Sequence, residues 1–553
     1  MEEYISRDKF SFNVVAESAS RILSFAGGLL SSAVLYRSIG WSWSTADYTA
    51  VKMVSSASQM LLPLVLLGFS GALTRYVAAS SNDRRKVGQG LGNSLVIVTF
   101  AYIATATLSS LFGLDRALIA SGLDVQLPAD ETRLLWFFVM LSLLPSGYLS
   151  IARAAFAGVQ KMKRGLTTEI VYNSIRIASL VILYAYQLVM VLTILWLNLL
   201  LTVIACVLAL RILATEMKRN SVPWCFRPSS AVIGSLAGLA GVFLVSTVVQ
   251  AIFDYGMVIL VGMFGADEDV ANFSIARATS LTVMQIVTSP LGVLAPNLAL
   301  EYAAGSRGNL ERKFKEAYRM MVPTLSFTAA ALFAFSQPIL RVVYGAAGVS
   351  AVPFLRLLSM NPIFMVVPAI YLYILLAADD RRGLLLSSIL QGAIQVGWVM
   401  LMAPLIGVIA VALIWIPYVP FFFLQHWYTK KYHSVTMDLQ TVAGGIGMGL
   451  FFLVVMYAVV TALEPIVAVA SIPNIVEAML VGLMAIPFWY LFIAVGTATK
   501  VVNRRDLENI SKVLKVIPPA WWVSRPLVTR LMKVAEQREA GLTAPSPATE
   551  DAS

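Results

Sequence analysis

Long apolar runs recur along the 553-residue chain, and each is close to the length of a membrane-spanning helix. A helix needs about 20 mostly apolar residues to cross a bilayer. Only 13% of the residues are charged, against about 25% in soluble proteins. The sequence therefore predicts an all-α polytopic membrane protein with about 14 transmembrane helices. The runs are 12–37, 47–77, 88–113, 133–156, 166–187, 189–213, 232–264, 270–298, 315–337, 351–377, 383–404, 407–428, 441–463 and 475–499.

Basic residues gather in every second loop between these runs, while the opposite loops are acidic or neutral. Because lysine and arginine stay on the cytoplasmic side of a membrane, both termini are predicted to be cytoplasmic. The net charge of +11 then reflects membrane topology, and we expect no nucleic-acid partner. Without a eukaryotic targeting signal, we expect a multi-pass protein of a bacterial or archaeal plasma membrane. The basic loops contain Arg84–Lys86, Lys161–Arg164, Lys218–Arg227, Arg307–Arg319, Arg381–Arg382, Lys430–Lys431 and Arg504–Arg505.

A short repeat relates the second apolar run to the eighth. IGWSWSTADYTAVK, which ends at Lys52, aligns without a gap with FGADEDVANFSIAR, which ends at Arg277. A duplicated unit of six helices keeps its orientation in the membrane, so the repeat predicts two pseudo-symmetric six-helix lobes plus two extra helices. The predicted parts are an N-lobe (1–230), a C-lobe (231–437), helices 13 and 14 (438–500), and a cytoplasmic amphipathic segment with a disordered tail (501–553).

Polar and charged side chains lie at helical spacing inside runs from both halves. A charge at bilayer depth costs roughly 2.5–3.5 kcal/mol on insertion scales, so it needs a partner or a water-filled cavity. We therefore expect a hydrophilic cavity between the two lobes. The candidate substrate-binding residues are Arg21, Lys52, Gln59, Arg176, Gln250, Arg277 and Gln285, and the candidate coupling or gating residues are Glu17, Glu169 and Asp254.

Structural roles compete with these assignments for the two acid–base pairs. Glu17 and Arg21 are one helical turn apart, so they can neutralise each other without any functional role. Glu169 and Arg176 lie on one helix face and allow the same interpretation. The sequence leaves both alternatives open for each pair.

The remaining charges also allow two interpretations. Lys52 and Arg277 lie one or two turns from the predicted outer face, where long basic side chains can snorkel to the membrane surface. Their matching positions in the two halves favour a role in the cavity. Asp254 lies mid-membrane without a nearby cation in the sequence.

The chain carries no motif typical of an enzyme that acts on nucleotides, peptides or esters. It has no GxxxxGK[ST] phosphate loop, no HExxH, no GxSxG and no cluster of metal ligands. Its two cysteines are Cys206 and Cys225. With so few, we expect neither a disulfide framework nor a cysteine metal site. These features favour a carrier over an enzyme, with no cofactor and no metal.

Three stretches resemble the polysaccharide and oligosaccharide flippases, which form the polysaccharide transporter branch of the multidrug/oligosaccharidyl-lipid/polysaccharide exporter superfamily. LGFSGALTRYVA (67–78) is similar to the end of their second helix. DYGMVILVGMFG (254–265) is similar to their seventh helix, and ANFSIARA (271–278) to the start of their eighth. The resemblance covers most of helices 1–12.

This resemblance implies a two-lobed transporter that works by alternating access. Such proteins move lipid-linked oligosaccharides or a lipid-linked peptidoglycan precursor from the inner to the outer leaflet, and cavity cations bind the pyrophosphate. The resemblance assigns that role to Arg21, Lys52 and Arg277, and it implies that the two extra helices help to hold the lipid tail. The expected partners are a polyprenyl-(pyro)phosphate-linked glycan, membrane lipids and glycan assembly machinery.

Two other functions remain open at this stage. A multidrug or metabolite cation antiporter of the same superfamily would be favoured by twelve helices and an acidic cavity, whereas this chain has about fourteen runs and basic candidate residues. A non-transporting membrane scaffold has no need for buried charges that are repeated in both halves.

Overall fold

A computed structural model describes most of residues 27–499. The gaps in this range are 40–43, 81–82, 114–128, 160–161, 227–228, 289–306, 379, 437–438 and 470–473. Beyond residue 500 only scattered residues are described, so the predicted cytoplasmic segment and tail at 501–553 lie largely outside the described residues.

Helices form nearly all of the described chain, and the described part of each predicted apolar run lies on one helix or on consecutive helices. The predicted N-lobe contains α1 (27–37), α2 (Thr45–Leu66), α3 (Phe69–Ala79), α4 (Arg84–Leu111), α5 (Ala129–Gly158), α6 (Met162–Ala185) and α7 (Val191–Arg219). The predicted C-lobe contains α8 (Ser230–Ala251), a π-helical turn (Ile252–Gly256), α9 (Met257–Phe264), α10 (Asp267–Thr288), α11 (Arg307–Ala334), α12 (Ser336–Tyr344), a 3₁₀ turn (Ala346–Ala351), α13 (Val352–Leu358), α14 (Asn361–Ala377), α15 (Arg381–Ile406), α16 (Ile409–Ala412) and α17 (Tyr418–His433). The last two helices are α18 (Leu439–Val469) and α19 (Asn474–Ala498).

The all-α membrane fold is confirmed. By length and composition, eight helices in the described part of the chain are able to cross a membrane, or nine if the bent pair α11–α12 forms one span. Each such helix satisfies its own backbone N–H and C=O groups, which lipid cannot do.

The second apolar run is broken in the structure, whereas the sequence predicted one continuous helix over 47–77. Pro63 removes a backbone donor near the end of α2. Leu67 (φ 47°) and Gly68 (φ 72°) then adopt left-handed conformations, and α3 starts at Phe69. The break lies at the start of the LGFSGALTRYVA stretch and turns α3 towards α8 of the other lobe.

Three other predicted runs are also interrupted. Within the ninth run, α11 ends at Ala334, and α12 then continues the chain at an angle of 68° to α11. The tenth run is divided between α13 and α14, and the twelfth begins with the single turn α16. Gly407 (φ 62°) lies shortly before α16, and Pro417 caps the start of α17. Each of these two helix boundaries therefore coincides with a residue that interrupts regular helix.

Aromatic packing joins the two extra helices to the C-lobe. Phe327 of α11 lies 5.2 Å from Phe492 of α19, and Phe452 of α18 lies 5.1 Å from the same ring, measured between ring centroids. The guanidinium carbon of Arg356 on α13 lies 5.0 Å from the ring centroid of Tyr457 on α18, which adds a cation–π contact. The added pair therefore packs on the C-lobe through buried rings.

The two lobes approach most closely where α3 meets α8. A Cβ atom on Gly68 would lie 2.1 Å from the backbone oxygen of Ala240, and one on Gly71 would lie 2.9 Å from the ring of Phe243. No side chain fits at Gly68 without movement of the α8 backbone. The glycines of the LGFSG stretch therefore permit this contact between the lobes.

We predict that Gly68→Ala lowers the free energy of unfolding by about 2–5 kcal/mol, because it adds left-handed strain and an overpacked contact. Gly241→Ala is the matched control on α8, since its Cβ would meet nothing within 4 Å. The control should be neutral, or stabilising by up to about 1 kcal/mol. Unfolding in detergent, followed by circular dichroism, measures both; equal effects would contradict the close contact.

Candidate functional site

Hydrogen bonds join the lobes at their predicted outer ends. The Tyr36 hydroxyl donates to Asn272 Oδ1 at 3.2 Å, and Ser350 Oγ donates to the same oxygen at 2.7 Å. Thr49 Oγ1 donates to the backbone oxygen of Asp267 at 3.1 Å. We call this set of contacts the outer closure. It links α1 and α2 of the N-lobe to α10 and the 3₁₀ turn of the C-lobe.

A cluster of tyrosine rings supports the outer closure. The Tyr36 ring packs edge-on against Tyr48 at 5.5 Å and against Tyr344 at 5.7 Å between centroids. Arg37 Nε donates to the backbone oxygen of Val343 at 2.9 Å. Edge-to-face rings add about 0.5–1.5 kcal/mol for each pair beyond their buried area, so the closed arrangement is stabilised by packing as well as by hydrogen bonds.

Lys52 lies just beneath the outer closure on α2. It is seven residues after Thr45, a rise of about 11 Å along the helix. Its Nζ donates to Ser32 Oγ at 2.9 Å and lies 5.1 Å from the centroid of the Tyr48 ring. The charge of Arg176 on α6 acts on the same ammonium. Two cations on neighbouring parts of the site, Lys52 and Arg176, therefore repel each other.

The second part of the site forms around the π-helical turn Ile252–Gly256. A π turn shifts the usual hydrogen-bond pattern of a helix and is common at functional sites. Here the backbone oxygen of Phe253 accepts from Arg277 Nη2 at 3.1 Å. The same nitrogen lies 3.4 Å from Asp254 Oδ1, and Gln250 Nε2 donates to Asp254 Oδ2 at 2.8 Å. The structure therefore supplies the cation that the sequence around Asp254 lacked.

The ion pair lies well inside two helices of the predicted membrane region. Arg277 is ten residues after Asp267, the first residue of α10, and Asp254 is ten residues before Phe264, the last residue of α9. Both separations correspond to a rise of about 15 Å, half of the roughly 30 Å hydrocarbon core. The sequence placed Arg277 one or two turns from the outer face, and this depth stays a prediction.

Arg277 is enclosed on several sides. Only 5% of the residue is exposed, and its guanidinium carbon lies 5.5 Å from the ring centroid of Phe253 and 6.0 Å from that of Phe273. A side chain that snorkelled would place its charge at the membrane surface, which the buried ion pair excludes for Arg277. Its Nε atom is buried and has no hydrogen-bond partner among the described residues.

The acid on α6 pairs differently from the sequence expectation. Glu169 forms an ion pair with Arg153 of α5, and Asn173 Nδ2 donates to its carboxylate at 3.5 Å. Arg176 is left half-buried, with a buried Nε that has no hydrogen-bond partner in the described part of the chain. Glu169 therefore pairs with Arg153 of the neighbouring helix rather than with Arg176 on its own face.

The structure says less about the four remaining candidate residues. Gln59 is half-buried on α2, two turns beyond Lys52 on the same face. Gln285 lies on α10, but its side chain is outside the described residues. Glu17 and Arg21 also lie outside the described residues.

Sequence reasoning missed the residues of the outer closure, although one signal was available. The repeat aligns Asp47 with Asn272, which are both polar residues near the start of a helix. Asp47 bonds locally to Ser44 and caps α2, whereas Asn272 receives hydrogen bonds from the opposite lobe and from the 3₁₀ turn. The two copies of one position have taken a local and a long-range role.

We predict that Asn272→Ala opens the outer closure, because it removes the acceptor used by Tyr36 and Ser350. Of these two bonds, the one from Tyr36 crosses between the lobes, and its loss at about 1 kcal/mol corresponds to a shift of roughly fivefold towards the open state. A cysteine introduced as Gln59→Cys should then react faster with a membrane-impermeant maleimide added from the outer side.

The matched control is Ser38→Ala, since the Ser38 hydroxyl, just after α1, donates locally to the Val34 carbonyl of that helix. It should leave the labelling rate unchanged. Both measurements use a background without the natural thiols Cys206 and Cys225. Equal labelling rates in the Asn272 and Ser38 variants would refute the assigned closure.

We predict that Asp254 and Arg277 are coupled by about 1–3 kcal/mol in a double-mutant cycle of Asp254→Asn and Arg277→Gln, because removal of one partner leaves a buried charge unpaired. The exposed pair Asp83–Lys86, with a 3.6 Å separation, is the control and should couple by less than about 1 kcal/mol. Chemical unfolding in detergent measures both cycles, and additive effects at Asp254 and Arg277 would contradict the ion pair.

Comparison with solved structures shows which known proteins share this fold. The lipid II flippase MurJ in an inward closed conformation matches with a TM-score of 0.62 and 15% identity, over 87% of this chain and 98% of the other. An inward-facing multidrug resistance MATE family transporter of the MOP superfamily matches with a TM-score of 0.58 and 14% identity, over 79% and 95%. A variant of the Vibrio cholerae MATE transporter VcmN gives 0.56 and 15%, over 77% and 97%.

Comparison of the sequence itself gives the family. No curated protein sequence matches the chain. The model of the family described as polysaccharide biosynthesis protein matches residues 11–299, more than half of the chain. This match covers the N-lobe together with both helices that carry the Asp254–Arg277 pair. The chain is a multi-pass membrane protein that belongs to the polysaccharide biosynthesis protein family.

Proposed function

We propose that this protein is a flippase that moves a polyprenyl-(pyro)phosphate-linked oligosaccharide from the inner to the outer leaflet. The observation that carries the proposal is the pair of cations Lys52 and Arg277, which occupy equivalent positions of the repeat and lie inside the membrane on helices of opposite lobes. Arg176 adds a third cation to the described site, whereas its two acids, Asp254 and Glu169, are each paired with an arginine. Such a site suits an anionic headgroup.

Arginine is well suited to this ligand. Its planar fork binds two oxygens of a phosphate at once, and it stays charged when buried. The buried Nε atoms of Arg176 and Arg277 lack acceptors among the described residues, so a pyrophosphate oxygen would satisfy groups that the described residues leave unpaired. A ligand of this kind gains charge-assisted hydrogen bonds that a neutral glycan does not offer.

Asp254 holds Arg277 in place between transport cycles. The Asp254 carboxylate and the Phe253 carbonyl both contact Arg277 Nη2, and a hydrogen bond from Gln250 orients the carboxylate. An arriving phosphate replaces the carboxylate as the partner of Arg277, and departure of the phosphate restores the ion pair. Arg277 thereby has an anionic partner in both states and avoids the cost of an unpaired buried charge.

The outer closure and the membrane potential give the cycle its direction. The closed outer end requires the headgroup to enter from the inner leaflet, and loss of the Asn272 contacts opens the outward path. With both termini cytoplasmic and the cell interior negative, outward movement of one negative charge releases about 2.3 kcal/mol per 100 mV. The lipid tail remains in the bilayer, and glycan assembly enzymes deliver the substrate.

A cation antiporter is the second candidate, because the MATE transporters share the fold. A cationic substrate needs free carboxylates in the cavity. In the described site the acid Asp254 is engaged by Arg277 and Gln250, and Glu169 is engaged by Arg153. The charge balance therefore favours the anionic substrate.

We predict that Arg277→Ala and Lys52→Ala each reduce translocation of a fluorescent polyprenyl-pyrophosphate oligosaccharide in proteoliposomes by roughly 10–100-fold, the worth of one charge-assisted hydrogen bond of about 1.5–3 kcal/mol. Arg277→Lys should restore only part of the rate, because lysine keeps the charge and loses the fork.

Arg85→Ala is the matched control, since Arg85 is an exposed cation at the start of α4. It should transport like the unmodified protein. Efflux of an organic cation against a proton gradient, with no movement of the lipid-linked glycan, would reject the flippase and favour the antiporter.

A further inference from the structure

A crevice opens on the lipid-facing side of the C-lobe, between α14, α15 and α17. Its walls are mainly apolar and aromatic: Tyr371, Leu375, Leu386, Leu390, Phe421 and Trp427. At its rim Leu386, Leu424 and Trp427 are 48%, 44% and 57% exposed. From Phe421 to Thr429 the crevice follows eight residues of α17, a rise of about 12 Å, which is close to the depth of one leaflet of the hydrocarbon core.

The mouth of the crevice carries a concentration of positive charge. Arg381 and Arg382 begin α15, Lys430 and Lys431 end α17, and all four are exposed. Lys431 Nζ lies 4.9 Å from the ring centroid of Trp427, a wall residue, so this ammonium stands at the rim. By the distribution of loop charges, this end of both helices is the cytoplasmic one.

Among the described residues, the acid at the mouth is Asp380, and its carboxylate has internal partners. Asp380 accepts from the Gly383 N–H at 2.9 Å and from the Tyr428 hydroxyl at 3.0 Å, and His433 Nε2 lies 3.0 Å from its carboxylate. Burial acts to raise the pKa of Asp380, but these hydrogen bonds outweigh it and hold the pKa below its usual value. The charge of the Asp380 carboxylate is thus shared among three groups, and four exposed cations lie at the mouth in the described part of the chain.

One polar group inside the crevice points to a ligand. Gln425 is only 7% exposed and lines the crevice. Its Nε2 donates to Ser387 Oγ at 2.6 Å, whereas its Oε1 has no hydrogen-bond partner in the described part of the chain. A buried acceptor without a donor costs about 1–3 kcal/mol, and a hydroxyl of a glycerol headgroup such as that of phosphatidylglycerol would remove that cost.

We propose that this crevice binds an anionic phospholipid of the inner leaflet, with one acyl chain between α15 and α17 and the phosphate beside Lys430 and Lys431. The apolar walls fit the chain, the basic mouth fits the phosphate, and the opening faces lipid. The Lys52–Arg277 site is not involved, so the proposal stands whether or not the transport function is correct. The bound lipid fastens the cytoplasmic ends of α15 and α17 to each other.

Native mass spectrometry of the detergent-solubilised protein tests this assignment with phosphatidylglycerol and phosphatidylcholine as probes. The unmodified protein should retain phosphatidylglycerol in preference to phosphatidylcholine. Lys430→Gln with Lys431→Gln should weaken phosphatidylglycerol binding roughly 30-fold, the product of two basic contacts at a membrane surface. Equal retention of the two lipids, or no effect of the double variant, would overturn the proposal.

Two further variants separate the crevice from general surface charge. Lys218→Gln with Arg219→Gln removes two exposed cations at the same predicted side of the membrane, on α7, and should leave binding unchanged. Leu390→Trp fills the crevice and should abolish phosphatidylglycerol retention, while the unfolding temperature without lipid shows whether the variant is folded. Loss of binding in the α7 variant would indicate non-specific attraction and overturn the proposal.

A competition experiment distinguishes the phospholipid from the tail of a transport substrate. Polyprenyl phosphate added to the phosphatidylglycerol complex should not displace the bound lipid. Displacement at equal concentration would assign the crevice to the polyprenyl chain and overturn the phospholipid assignment.

Discussion

The need to satisfy Arg277 inside the predicted membrane region governs the arrangement of the central helices. A guanidinium cannot lie in lipid without acceptors, since each buried charge costs several kcal/mol unless it is paired and hydrogen-bonded. The π-helical turn supplies two acceptors at once, the Phe253 carbonyl and the Asp254 carboxylate. A regular α-helix would keep that carbonyl in its own ladder of hydrogen bonds. The irregular backbone of the seventh run is therefore part of the site.

The contacts between the lobes differ in kind at their two levels. The outer closure uses side-chain hydrogen bonds and tyrosine rings, which are individually weak and can separate without damage to either lobe. The contact between α3 and α8 uses backbone proximity at Gly68, where no side chain intervenes. Weak side-chain contacts suit a region that opens and closes, and a close backbone contact suits a region about which two lobes rotate. This division fits a cycle in which the outer end opens while the α3–α8 contact persists.

Much of the architecture could be predicted from the sequence, because lipid admits few backbone solutions. Apolar runs of helical length predicted the all-α fold, and the LGFSGALTRYVA stretch indicated the family that the residue 11–299 match then showed. The breaks within the runs were harder to predict. Leu67 has no sequence preference for a left-handed conformation, and it adopts one because the neighbouring Gly68 must approach Ala240.

The sequence by itself determined the fold class, the number of apolar runs and the pairing of Lys52 with Arg277 in the repeat, since these depend on local composition and periodicity. Only the tertiary structure decided which charges meet. Asp254 and Arg277 are 23 residues apart, and Glu169 pairs with Arg153 of another helix instead of Arg176 on its own face. Ion pairs between helices depend on how the helices are rotated and packed, and no local pattern records that geometry.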